Sequence, residues 1–158
     1  LGFSAGGHLI GDLSVHYDKK IEVRDDIDAV SARPDFSVFC YPVISSDDFG
    51  HQYSLQMLLG DDYGKPDMME YYSIDKQVNA KTPPAFVWTT ATDEMSYLNS
   101  LVYAQACWAN GVEAELHVFS TGYHGLGLAD GNEGENNYPT VHTWTVSCEQ
   151  WLKHILGL

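Results

Sequence analysis

Apolar positions along this chain switch between a helical and a strand period, and the switching predicts the fold class. Residues 5–17 (AGGHLIGDLSVHY) place Leu9, Ile10, Leu13 and Tyr17 at helical spacing and predict an amphipathic helix. Residues 18–33 are a charged connection that ends at Arg33-Pro34-Asp35. The run from Phe36 to Tyr41 is short, apolar and β-rich, and Pro42 closes it, so it reads as a buried strand. Residues 43–82 are polar and Asp-rich and predict an irregular excursion over the sheet, with short helices near 53–59 and 66–72. Pro83-Pro84 introduces a second strand at 85–90. A second amphipathic helix is predicted over 97–110, with Leu98, Leu101, Val102, Ala104, Ala106 and Trp108 facing inward and Asn110-Gly111 as its stop. A third strand follows at 115–119, then a Gly- and Asn-rich loop at 120–139. One last helix is predicted over 140–156, packing through Val141, Trp144, Cys148, Trp151, Leu152 and Ile155.

Strands alternating with helices predict an α/β protein, a parallel sheet covered by helices on both faces. With 158 residues, 44% apolar and 13% aromatic, the chain reads as one globular domain or part of one. It shows no internal repeat, and its one biased tract is Asn132–Asn137. A net charge of −14, from 8 basic and 22 acidic residues, argues against nucleic acid and anionic membrane surfaces as partners. It favours solubility and neutral or cationic small molecules. The sequence has no run of about 18 apolar residues that would cross a bilayer. Cys40, Cys107 and Cys148 are far apart in apolar segments and are expected to be buried free thiols, not disulfides, zinc ligands or nucleophiles. Free thiols lean toward the cytoplasm, and the compartment is otherwise open. The acidic groups Asp25-Asp26-Asp28, Asp47-Asp48, Asp61-Asp62 and Glu133–Asn137 lack calcium-loop spacing and read as solvated surface.

Gly2-Phe3-Ser4-Ala5-Gly6 matches G-x-S-x-G, a sharp strand-to-helix turn that presents a serine hydroxyl. Gly2 and Gly6 are expected to provide the room this turn needs, with Gly7 extending it. Two later loops complete a set. Asp93 follows the strand at 85–90, and His124 follows the strand at 115–119, between Gly122 and Gly125. A serine hydroxyl is a weak nucleophile and needs a neutral imidazole to take its proton, while a carboxylate holds that imidazole in the right tautomer. The competing readings are Ser4 as a helix cap, Asp93 as a loop or capping aspartate, and Glu94 as the acid in its place. Of the other histidines, His8 and His16 fall on the first helix, His117 in a strand, and His142 and His154 on the last helix. His51 lies in the excursion, where substrate access is conceivable. Among Tyr41, Tyr63, Tyr71, Tyr72, Trp88 and Tyr123, only Tyr123 is favoured as a substrate-binding ring, because it adjoins His124.

Three phrases carry a family resemblance: GFSAGGHL, RPDFSVFCYPVIS and TPPAFVWTTATDEMSYLNSLVYAQACWANGVEAELHVFSTGYHGLGLA. Together they cover well over half of the chain, and they resemble the acetyl-xylan and carbohydrate esterases of the α/β-hydrolase fold. The resemblance implies Ser4 as nucleophile, Asp93 as acid, His124 as base and the Ala5 N–H as an oxyanion donor. It implies hydrolysis of small acyl esters, often acetyl groups on sugars, with no metal or other cofactor. In that fold about half the sheet precedes the elbow, so the chain is expected to be a C-terminal half. A His-Gly-Gly-Gly-type loop supplying the second oxyanion donor would then lie elsewhere. The strand entering Ser4 would be an unprotected edge, which calls for a companion N-terminal half or self-association. One departure stands out: Glu94-Met95-Ser96-Tyr97 replaces the Val-Pro pair usual after the acid. Two other readings stay open, a serine peptidase of the prolyl-oligopeptidase type and a non-catalytic hydrolase-like module.

Overall fold

The computed structural model describes residues 1–19, 25–132 and 137–158. Four parallel strands form one sheet in the order β1 (Gly2–Phe3), β2 (Ser37–Cys40), β3 (Ala85–Thr90) and β4 (Ala114–Phe119). Register runs from Phe3 to Cys40, Cys40 to Trp88 and Trp88 to His117, so the C-terminal ends of the strands line up. The helices are α1 (Ala5–His16), α2 (Gln52–Leu59), α3 (Pro66–Tyr71), α4 (Ile74–Gln77), α5 (Leu98–Ala109), α6 (Pro139–His142) and α7 (Trp144–Leu156). A 3-10 turn at Gly60–Asp62 follows α2. Among the described residues no helix is long and apolar enough to cross a membrane.

Each strand lies beside the next in sequence, so crossovers of one hand place their helices on one face. On that face Phe39, Ala85 and Val87 pack with Val15 of α1, Ile74 of α4, and Tyr103 and Cys107 of α5. On the other face Val38, Cys40, Phe86 and Trp88 pack with Trp144, Cys148 and Trp151 of α7. Covering both faces buries every residue of β2 and β3, which are apolar apart from Ser37, Thr89 and Thr90. Full burial of each large side chain contributes about 1.5–3 kcal/mol. The three cysteines are free and buried, and burial pushes the thiols of Cys40 and Cys107 up to about 12 and that of Cys148 to about 11. None therefore supplies a thiolate near neutral pH.

Four expectations change. On α1 the side chains against the core are Gly7, His8, Gly11, Ser14 and Val15, while Leu9 is 70% exposed and Leu13 is also exposed. The helix lies so close to the neighbouring chain that a Cβ on Gly7 would stand 2.5 Å from Pro42 Cβ, and small residues mark the buried face. On α5 the inward positions are Asn99, Ser100, Tyr103, Ala104 and Cys107, with Leu101 exposed and Trp108 51% exposed. Asn99 faces in because its amide is needed there: Oδ1 accepts from Ile44 N and Ser45 N, both at 3.0 Å, and Nδ2 donates to Met95 O at 2.8 Å.

The last helix is two, α6 and α7, meeting at Thr143. There the hydroxyls of Thr143 and Thr145 donate to Thr140 O and His142 O, carbonyls that an unbroken ladder would use. The excursion is more regular than expected, since it holds α2, α3, α4 and the 3-10 turn. Residues 20–24 of the charged connection and 133–136 of the acidic Glu133–Asn137 patch lie outside the described residues. Among the described residues no group of three or more His, Cys, Asp or Glu is arranged to hold a metal ion.

Candidate active site

Ser4 stands between β1 and α1 with φ 52°, a left-handed value that is rare for serine. Its backbone is clamped on three sides: Ser4 N donates to Cys40 O at 3.0 Å, and Ser4 O accepts from Gly7 N at 2.9 Å and Val43 N at 3.3 Å. The turn is so tight that a Cβ on Gly2 would sit 2.2 Å from Gly6 O. Gly6 itself has open space where a Cβ would go, so Gly2 and Gly7, not Gly6, are the sterically required glycines. The strain is held by tertiary hydrogen bonds, a pattern associated with functional positions.

The hydroxyl of Ser4 makes no cap bond to α1. Instead it lies 2.7 Å from His124 Nε2. On the other side of the ring, Nδ1 is 3.0 Å and 3.1 Å from the two carboxylate oxygens of Asp93. An ionised carboxylate only accepts, so Nδ1 carries the proton, Nε2 is the acceptor, and Ser4 donates. Asp93 is buried, and its Oδ1 also accepts from Met95 N at 2.7 Å. Its neighbour Glu94 is exposed and is not the carboxylate at the ring. The three residues come from the C-terminal ends of β1, β3 and β4, where functional loops of open parallel sheets gather. Ala5 opens α1, a 12-residue helix with no acidic residue in its first turn. Its N–H belongs to the helix end that lacks intrahelical partners and carries the positive pole of the dipole.

The fold is found in known proteins. The chain superimposes on the acetyl ester-xyloside bifunctional hydrolase of Caldicellulosiruptor lactoaceticus with a TM-score of 0.87 and 42% identity, covering 98% of this chain and 55% of that one. It is 36% identical over 131 residues to endo-1,4-beta-xylanase B of Butyrivibrio fibrisolvens, covering 82% of this chain and 20% of that protein. It is 33% identical over 133 residues to the acetylxylan esterase of Xylanibacter ruminicola, covering 81% of this chain and 25% of that protein. The chain has the α/β-hydrolase fold. It spans about half the length of the solved relative and a quarter or less of the two sequence relatives. No protein-family profile matches it.

In this chain the other six histidines bond away from Ser4: His8 to Tyr72 O, His16 to Asp12, His51 to Ser54, His117 to Glu115, His142 to Leu128 O and His154 to Glu113. Tyr123 lies on the rim, exposed, with its ring 5.7 Å from that of Tyr138. Trp88 is in the core, stacked on Trp144.

Two residues at the site are not favoured by the sequence: Tyr41, weighed there only as one of several substrate-binding rings, and Thr92. Tyr41 has φ 40°, a strained value for a bulky side chain, and its ring meets that of His124 edge-on at 4.9 Å. Its hydroxyl accepts from Gly127 N at 3.0 Å, so it supports the His124 loop from below. Thr92 ties the same loop to the acid loop. Its Oγ1 donates to Gly122 O at 2.7 Å and accepts from Gly122 N at 2.9 Å, and Thr90 Oγ1 donates to the same carbonyl at 3.0 Å. The signal that could have found both is position, since each sits just past the C-terminal end of a central strand.

Thr92→Val keeps the shape and removes both bonds to Gly122. Misplacing a reacting group by about 1 Å costs on the order of 100-fold in rate, so a fall in kcat approaching that size is expected, with KM little changed. Thr92→Ser restores both bonds and should recover most of the rate in steady-state ester kinetics.

Proposed function

We propose that this chain carries the nucleophile, acid and base of a serine esterase that removes small acyl groups, acetyl foremost, from carbohydrate. The observation that carries the reading is the 2.7 Å contact between Ser4 Oγ and His124 Nε2 on a strained turn, backed by buried Asp93. The names of the relatives support the substrate class, since two of them are an acetylxylan esterase and an acetyl ester-xyloside hydrolase.

In the proposed mechanism Ser4 Oγ attacks the ester carbonyl carbon as its proton passes to His124 Nε2. Asp93 steadies the imidazolium through Nδ1–H. Negative charge on the carbonyl oxygen falls toward the N-terminus of α1, where the Ala5 N–H donates; losing one donor of this kind costs about 2.7–4 kcal/mol. The carbon–oxygen bond to the alcohol breaks, and the leaving oxygen takes the proton from His124. Water then gives a proton to His124 and attacks the acyl-Ser4 carbonyl. Carboxylic acid departs, and Ser4 Oγ regains its proton. Tyr123, on the rim beside His124, would meet the alcohol half, where an aromatic face suits a sugar ring. A companion segment along the free edge of β1, or self-association there, is part of this proposal, because β1 pairs only with β2 among the described residues.

The test is acetate release from para-nitrophenyl acetate and from acetylated xylan, with an aminoacyl-amide in parallel. Saturable acetate release without amide cleavage is the expected result. Cleavage of the amide with no acetate release would replace the esterase reading with the peptidase one.

A further inference from the structure

We propose that a small cavity between the start of α1 and α2 is the acyl subsite, and that Leu58 sets the length of acyl chain it accepts. The inference rests on the esterase reading. The cavity holds about 80 Å³ and is lined by Ala5, His8, Val43, Ser54, Leu55 and Leu58. Two of its walls are joined to the backbone of Ser4: Ala5 follows it in the chain, and Val43 N donates to Ser4 O.

The chemistry assigns the direction. A tetrahedral carbon on Ser4 Oγ has three other substituents. The charged oxygen belongs at the Ala5 N–H. The leaving oxygen must reach His124 Nε2, which gives it a proton. The acyl chain takes the remaining direction, away from His124. The cavity lies on that side, since its lining comes from α1, α2 and the segment after β2, with nothing from the His124 loop.

The lining also fits an uncharged alkyl group. Val43 and Leu55 are fully buried, and Leu58 closes the outer side. His8 is buried, and burial lowers its pKa below the ordinary imidazole range, so it stays neutral near pH 7. Its Nε2 is tied to Tyr72 O at 3.0 Å. The wall therefore offers no cation to an acyl group bearing its own carboxylate.

Size then selects. A dry cavity of about 150 Å³ accepts benzene, so a space of roughly half that volume suits an acyl group of about two to four carbons. Ala5, His8 and Leu58 line this space and a second one beside it, and Leu58 is the large apolar side chain among the three. The second cavity holds about 130 Å³ and is also lined by Leu9, Asp12 and Tyr72. Removing the Leu58 side chain would widen the acyl space toward the second cavity. Leu58 is 51% exposed, so the core does not depend on it.

The experiment is kcat/KM for para-nitrophenyl acetate, butyrate, hexanoate and octanoate in the wild type, Leu58→Ala, Leu58→Phe and Met57→Ala. Met57 neighbours Leu58, is 62% exposed and lines neither cavity. Misfit of even one methylene in an apolar pocket is worth about 10- to 200-fold, so the wild type is expected to fall at least about tenfold between butyrate and hexanoate. Leu58→Ala should raise the hexanoate-to-acetate ratio about tenfold, Leu58→Phe should lower it, and Met57→Ala should leave it unchanged. Acetate turnover with the same length profile in both Leu58 variants would overturn the acyl assignment and leave the esterase reading standing. No turnover of any ester would overturn that reading, and the assignment with it.

Discussion

Ser4→Ala is expected to remove covalent labelling by a fluorophosphonate and to lower kcat by about 10⁶-fold, the scale seen when a nucleophile of this kind is deleted. A fluorophosphonate phosphonylates a serine whose hydroxyl has lost its proton to a base. In the proposed mechanism that base is His124 Nε2, which lies 2.7 Å from the Ser4 hydroxyl. Intact-mass analysis should find one adduct on the wild type and none on the variant. The backbone of the elbow is held by Cys40 O, Gly7 N and Val43 N, none of which involves the hydroxyl, so Ser4→Ala should keep its fold. A circular dichroism spectrum matching the wild type would exclude unfolding as the cause. An adduct that survives in Ser4→Ala would place the activated group elsewhere. No adduct on the folded wild type would mean that this chain alone does not assemble a working site.

Asp93→Asn should lower kcat by about 10⁴-fold with little change in KM. The reason is the tautomer. Oδ1 of Asp93 accepts from Met95 N at 2.7 Å while the carboxylate also accepts from His124 Nδ1. An asparagine that keeps its oxygen on Met95 N turns its NH₂ group toward His124. Nδ1 must then accept, the proton moves to Nε2, and the imidazole presents a donor to Ser4 instead of an acceptor. The geometry survives and the base is lost. Steady-state kinetics on para-nitrophenyl acetate would check this, and an unaltered kcat would remove Asp93 from the mechanism. Glu94, adjacent but exposed, is not positioned to substitute.

Much of this protein is written in local patterns. The β-rich runs that became β2, β3 and β4 and the periods that became α1 and α5 are properties of neighbouring residues, because strand and helix periods are set by backbone geometry alone. Their bounds in the structure agree within a residue or so. The order Ser4, Asp93, His124 was also legible, since each follows a strand and a parallel sheet brings its strand ends together at one edge.

What local patterns did not determine is which side of each helix faces in. Leu9 and Leu13 obey the period yet point outward, and Gly7, Gly11 and Ser14 point inward. The distance of α1 from its neighbours, not the hydropathy of its residues, selects the small face. Buried Asn99 and the break at Thr143 follow the same logic, because each answers a hydrogen-bonding demand set by a distant or competing group. Thr92 and Tyr41 act across 30 and 86 residues of sequence, on Gly122 and Gly127, and no spacing rule reaches that far. By itself, then, the sequence determined the elements, their order and the three chemical groups. Only the tertiary structure decided how those groups are held and what space lies beside Ser4. Periodicity is carried by the backbone of adjacent residues, whereas close packing and hydrogen-bond satisfaction exist only once distant segments meet.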